Sequence, residues 1–213
     1  MSTLDGPGDP AADPIAPQAS AWNIANYLTV LRLALVPVFA AVLLSHGGHQ
    51  DNRRYAAWVV FAIASYTDRV DGQLARKRNL VTSFGKLADP IADKALTGAA
   101  LISLSLLGDL PWPVTIVVLV REVGVTLLRF WVIRHGVIPA SRGGKLKTLL
   151  QGLAIGFYVL PCTGWLATGR AVIMVAAVVI TVVTGLDYIV RAVSLRRTSE
   201  RAAMKRTRKA SQA

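Results

Sequence analysis

The chain has 213 residues, 53% of them hydrophobic, with a mean hydropathy of +0.46. That apolar share exceeds the soluble norm, and the lone cysteine, Cys162, rules out disulfides and cysteine-rich metal sites within one chain. The formal net charge of +12 would suit nucleic acid, but its densest part follows the last apolar run, where attraction to anionic lipid head groups accounts for it. No nucleic-acid partner is expected.

Residues 1–20 hold four prolines, three aspartates and no basic residue, which is not a secretory signal and reads as a disordered tail. Six apolar runs follow, at roughly 27–45, 55–75, 87–107, 111–133, 149–167 and 171–190. Each is long enough, or nearly so, to cross a hydrocarbon layer of about 30 Å as a helix, and backbone groups in lipid must be satisfied internally. The expected fold is all-α: a polytopic six-helix membrane bundle over 21–192, with a basic tail over 193–213. The 75–86 connection carries Arg76, Lys77, Arg78 and Lys86, and the 134–148 connection carries Arg134, Arg142, Lys145 and Lys147. The opposite connections hold only Arg53, Arg54 and Arg170. The positive-inside rule then puts both termini and the basic connections in the cytoplasm.

Where the second and third runs approach each other, residues 68–93 read DRVDGQLARKRNLVTSFGKLADPIAD, holding four of the twelve acidic residues. At about 100° per residue, with Asp68 at zero, Asp71 falls near −60°, Gly72 near +40°, Ala75 near −20° and Arg76 near +80°. One helical face therefore carries all five. Gly85, Asp89 and Asp93 follow at four-residue spacing, a stripe along the next helix. A connection of about eight residues makes the two helices antiparallel neighbours, so the stripes meet near the cytoplasmic membrane edge. Four ionised carboxylates in one low-dielectric cleft are tolerable only if protonated, paired or metal-bound. Oxygen ligands without histidine or cysteine favour Mg²⁺ or Mn²⁺, and four carboxylates suit a pair of such ions. Gly72 and Gly85 leave room for a bulky ligand to approach the backbone; alternatively, they serve close helix packing.

The spacing Asp-x2-Asp-Gly-x2-Ala-Arg-x8-Gly-x3-Asp-x3-Asp is met without a gap by Asp68, Asp71, Gly72, Ala75, Arg76, Gly85, Asp89 and Asp93. It resembles the signature of the CDP-alcohol phosphotransferases (CDP-alcohol phosphatidyltransferases), membrane enzymes of phospholipid synthesis. The resemblance runs from residue 23 to about 191. NIANYLTVLRLALVPVF (23–39), LADPIADK (87–94), REVGVTLLR (121–129) and GGKLKTLLQ (143–151) are most similar to the family's bacterial phosphatidylglycerophosphate synthases. Ala25 departs from the proline frequent in relatives, which touches only the start of helix one.

The resemblance implies two divalent cations on Asp68, Asp71, Asp89 and Asp93, a CDP-diacylglycerol whose diphosphate lies on them, and Asp93 as the base. It implies transfer of the phosphatidyl group to sn-glycerol 3-phosphate, in a bacterial-type plasma membrane and in a homodimer surrounded by membrane lipids. Gly72, Ala75, Arg76 and Gly85 would line the nucleotide cleft, with Thr82 a further polar contact. Asn26, Thr29 and Arg32, three residues apart on helix one, would edge it if pointed inward; otherwise Arg32 snorkels. Arg121, Arg129, Arg134, Lys145, Lys147 and Arg191 lie where a phosphate-bearing acceptor would need cations. Pairing of Arg121 with Glu122 and of Arg191 with Asp187 is the alternative for those two. His46, His49 and His135 fall outside the constellation. Inositol, inositol phosphate or phosphatidylglycerol are rival acceptors. A divalent-cation transporter is the rival of another class, for which no broken-helix repeat is evident.

Overall fold

Each of the six apolar runs becomes an α-helix, the arrangement that satisfies backbone donors and acceptors locally. In the computed structural model, which describes residues 24–78, 83–132 and 142–210, these are α1 (Ile24–Leu44), α2 (Asp51–Arg78), α3 (Ser83–Leu106), α4 (Trp112–Val132), α5 (Arg142–Val159) and α6 (Trp165–Ala210). A 3-10 turn, Ser45–Gly48, joins α1 to α2, and no strand occurs among the described residues.

Several boundaries differ from the expectation, and two of the differences have a plain local reason. The fifth helix ends at Val159 rather than running on to 167, because Pro161 lacks a donor and disfavours helical geometry in the residue before it. Cys162 consequently sits in the connection to α6. At its other end α5 starts at Arg142, so Lys145 and Lys147 belong to a helix and not to a connection. The basic segment expected as a tail continues α6 to Ala210; it has no proline or glycine after residue 192 and is rich in alanine, arginine and lysine, which are good helix formers. Between α2 and α3 only residues 79–82 intervene; Thr82 lies there, outside the described residues.

The core sits where α1, α2, α3 and α5 meet. Phe39 and Leu43 of α1 pack with Ala57, Phe61 and Ala64 of α2, Leu96, Ala100 and Leu104 of α3, and Ala154 and Ile155 of α5. The Phe39 and Phe61 rings are tilted with centroids 5.7 Å apart, within the favoured range for aromatic pairs. Helix α6 packs against α4 and α5 and closes the bundle. Outward faces stay apolar: Ile116, Val120 and Leu127 on α4 and Val172, Val175 and Val179 on α6 are exposed. Soluble monomers rarely show such continuous apolar surface. By length and composition two segments, Tyr27–Gly48 and Trp165–Arg196, suffice to cross a membrane.

One end of the bundle is locked by the turn after α1 and the connection after α3. Gly48 has φ +73°, and a Cβ there would collide with the Leu107 side chain. Arg54, at the start of α2, is paired with Asp109 in the connection, and both side chains are largely buried. Removing one partner of such a pair leaves a buried, unneutralised charge. Asp109→Ala should therefore destabilise the fold by about 3–5 kcal/mol. A thermal-unfolding midpoint in detergent equal to the wild type's would remove this pair from the account.

Candidate active site

Both halves of the signature fall on helices, Asp68 to Arg76 on α2 and Gly85 to Asp93 on α3. In α2 the buried residues Ala57, Phe61 and Ala64 precede position 68 by eleven, seven and four residues, intervals that share one register on a 3.6-residue turn. In α3 Asp89 and Asp93 share a face with the buried Leu96 and Ala100. Both halves of the signature stand on the ends of α2 and α3 that are away from the Gly48 turn. The side chains of Asp68, Asp71, Gly72, Ala75, Arg76, Gly85, Asp89 and Asp93 lie outside the described residues, as do those of Asn26, Arg129 and Lys145. On α1 Thr29 is buried and Arg32 is completely so, which settles the alternatives left for Arg32: it faces the interior instead of snorkelling.

A second group of charges converges on Glu122, the only acidic residue in α4. Lys147 of α5 and Arg121 both donate to its Oε1, the arginine at 3.2 Å, while Lys94 of α3 reaches Oε2 at 3.4 Å. The Arg121 guanidinium also ties α4 to α6. Its Nε donates to the Thr181 carbonyl at 3.2 Å and its Nη2 to Thr184 Oγ1 at 3.1 Å. Gly185 makes room for it, since a Cβ there would come within 3.0 Å of Arg121 Cγ. Of the acceptor-site expectations, Arg121 and Lys147 are brought together. Arg191 is not among them: it donates from Nε to both carboxylate oxygens of Asp187, at 3.0 and 2.9 Å, on an exposed face.

Sequence reasoning passed over Lys94 as a site residue and saw Glu122 only as a partner for Arg121. The signal was present, because an acid within an apolar run is costly without a function or a partner. What the sequence lacked was the information that α3, α4 and α5 bring their charges to one point.

Among the described residues no three histidine, cysteine, aspartate or glutamate side chains are grouped to hold a metal ion. The donor set of the signature itself, four carboxylates without histidine or cysteine, is the chemistry a hard divalent cation requires. His46 and His49 are at the far end, in and beside the Ser45–Gly48 turn.

The family model for CDP-alcohol phosphatidyltransferase matches residues 22–183. The chain belongs to this family. A Mycobacterium tuberculosis protein named "Probable phosphatidylglycerophosphate synthase" is 56% identical over 183 residues, covering 86% of this chain and 88% of its own. Two proteins named CDP-diacylglycerol–glycerol-3-phosphate 3-phosphatidyltransferase are also similar. The one from Rickettsia typhi is 39% identical over 78% of this chain and 94% of its own. The one from Bacillus subtilis is 40% identical over 65% of this chain and 77% of its own. The matched region takes in α1 to α5 and the first half of α6, including both groups of charges.

The tight fit of Arg121 against α6 makes a contrast between two glycines of that helix. Alanine ordinarily favours a helix over glycine by about 1 kcal/mol, and at Gly169 nothing stands within 4 Å of an added Cβ. Gly169→Ala should hold or raise the thermal midpoint, whereas Gly185→Ala should lower it by pressing on a side chain pinned at three nitrogens. Equal responses at the two positions would mean that the packing of Arg121 against Gly185 carries no stability.

Proposed function

We propose that this chain transfers the phosphatidyl group of CDP-diacylglycerol to sn-glycerol 3-phosphate, giving phosphatidylglycerophosphate and CMP. The observation that carries the reading is the complete signature on two consecutive helices, α2 and α3, in a chain that spans most of a 56%-identical relative of that name. The reading includes a six-span bundle in a bacterial-type plasma membrane with both termini cytoplasmic, supported by the exposed apolar faces and the distribution of lysine and arginine.

Two divalent cations, Mg²⁺ or Mn²⁺, held by Asp68, Asp71, Asp89 and Asp93, would neutralise the diphosphate and the charge that develops on it. The rest falls to side chains. Asp93 takes the proton of the glycerol hydroxyl as that oxygen attacks the lipid-bearing phosphorus in line. A new phosphorus–oxygen ester bond forms, the anhydride bond to CMP breaks, and CMP leaves with the electron pair. Gly72, Ala75 and Gly85 leave space for the cytidine diphosphate, and Arg76 contacts the diphosphate. Thr29 and Arg32, with Asn26 and Thr82, edge that cleft. Arg121 and Lys147, with Arg129 and Lys145, provide the cations for the acceptor phosphate; Arg191, held by Asp187 on an exposed face, is left out of that set. A site at the membrane edge suits this chemistry, because the acyl chains need the bilayer while the nucleotide and acceptor need water.

Purified protein supplied with CDP-diacylglycerol should release CMP with sn-glycerol 3-phosphate and not with inositol, inositol phosphate or phosphatidylglycerol. Preference for any of those would replace the acceptor; no CMP release with any of them would remove the transferase reading. Chelation by EDTA should abolish turnover, and Mg²⁺ or Mn²⁺ should restore it. Asp93→Asn should lose about 10²–10⁴ in rate, the usual contribution of a positioned base, while CDP-lipid binding persists. Near-normal turnover would take the base role from Asp93.

Topology is read by labelling. In a protein with Cys162 replaced by serine, cysteines at Gln50 and Thr163 should react from outside the cell and one at Asn79 from the cytoplasm. The reverse pattern would put the site out of reach of a cytosolic acceptor.

A further inference from the structure

The cluster on Glu122 holds more cations than a structural ion pair needs. One carboxylate receives Lys94 from α3, Arg121 from α4 and Lys147 from α5. Positive charge in the interior of an apolar bundle is costly unless an anion completes it. Arg121 is engaged with α6 through two of its nitrogens. The two lysines differ: each ammonium has three donors and gives one to Glu122, Lys94 to Oε2 and Lys147 to Oε1. Both ammonium groups therefore stand beside one carboxylate, each with donors left over for an anion.

We infer that Glu122 is a positioning residue that holds Lys94 and Lys147 together as the two jaws of a clamp for a phosphate dianion. The inference rests on the phosphate-bearing acceptor proposed above and adds Lys94 and Glu122 to it. Two ammonium groups on separate helices repel each other, and the repulsion is strong where water is scarce. The Glu122 carboxylate offsets it and fixes where the groups stand. Without that charge Lys94, the more exposed of the two at 30%, swings outward and the clamp opens. The gain in net positive charge does not compensate, because charge-assisted hydrogen bonds depend on placement. Lys94 directly follows Asp93, so the same clamp ties the bound phosphate to the helix that carries the base.

The test compares steady-state kinetics of the purified full-length wild type, Glu122→Gln, Glu122→Asp, Lys94→Gln and Lys147→Gln. For Glu122→Gln the KM for sn-glycerol 3-phosphate should rise at least tenfold, with kcat within threefold and the KM for CDP-diacylglycerol within twofold. Inorganic phosphate, competitive against the acceptor in the wild type, should inhibit this variant at least tenfold more weakly. Glu122→Asp keeps the charge and should recover most of the acceptor affinity. Lys94→Gln should raise the acceptor KM as Glu122→Gln does, and it carries the test if the latter does not fold. An unchanged acceptor KM with reduced kcat in Glu122→Gln would mark an ordinary structural role and overturn the inference. So would a lowered acceptor KM, which would make the carboxylate a competitor of the phosphate. If Lys147→Gln raises the acceptor KM while both Glu122→Gln and Lys94→Gln leave it unchanged, the clamp alone fails. If Lys147→Gln also leaves it unchanged, the phosphate-acceptor reading fails with it.

Discussion

Charges inside an apolar bundle must find each other, and that requirement organises this molecule at both ends. Arg54 and Asp109 are largely buried, and their pairing joins the start of α2 to the connection after α3. Toward the other end, Glu122 gathers cations from three helices, and Arg121 passes the link on to α6. Apolar packing among Phe39, Phe61, Leu96 and Ile155 sets the helices side by side, but it is non-directional. The ion pairs and hydrogen bonds are directional, and they fix how far each helix slides along its neighbours.

Small residues decide where those charges fit. Alanines at 57, 64, 100, 154 and 177 are buried at the helix contacts, which lets backbones approach closely. Gly185 serves differently, since it makes space for the aliphatic part of Arg121. A long cation can then lie across α6 and present its guanidinium to a carbonyl, a hydroxyl and a carboxylate at once. Arg196 does something related nearer the end of the apolar span, stacking on the Trp131 ring with 4.5 Å to its centroid. There a cation–π contact holds α6 against α4 at the level where the bundle ends.

The phosphatidyl transfer and the fold meet in helix register. Asp68 is four residues from the buried Ala64, and Asp93 is three from the buried Leu96, so one periodicity serves core and signature alike. An interruption of either helix between core and signature would change the register between them. No proline falls between Ala57 and Asp71, so α2 carries no proline break between its core residues and the first half of the signature.

Much of this was legible in the linear sequence because it depends on local rules. Apolar runs specify helices, lysine and arginine bias specifies an orientation, and the unbroken aspartate spacing specifies two faces and a family. Helix ends were harder: Pro161 stops α5 through a local steric effect that a hydropathy reading averages away, and α6 runs on because its basic segment favours helix. The partners of the charges were beyond the sequence. Arg191 finds Asp187 one turn away, a contact that spacing foretells. Glu122 instead finds Lys94 and Lys147, 28 and 25 residues distant, and Arg121 finds Thr181 and Thr184 on the last helix. Those pairings follow from which helices pack together and at what depth. The sequence by itself therefore determined the helices and the signature faces, since both arise from periodicity within one segment. Only the tertiary structure decided which cations share a carboxylate, because that depends on the relative placement of three separate helices.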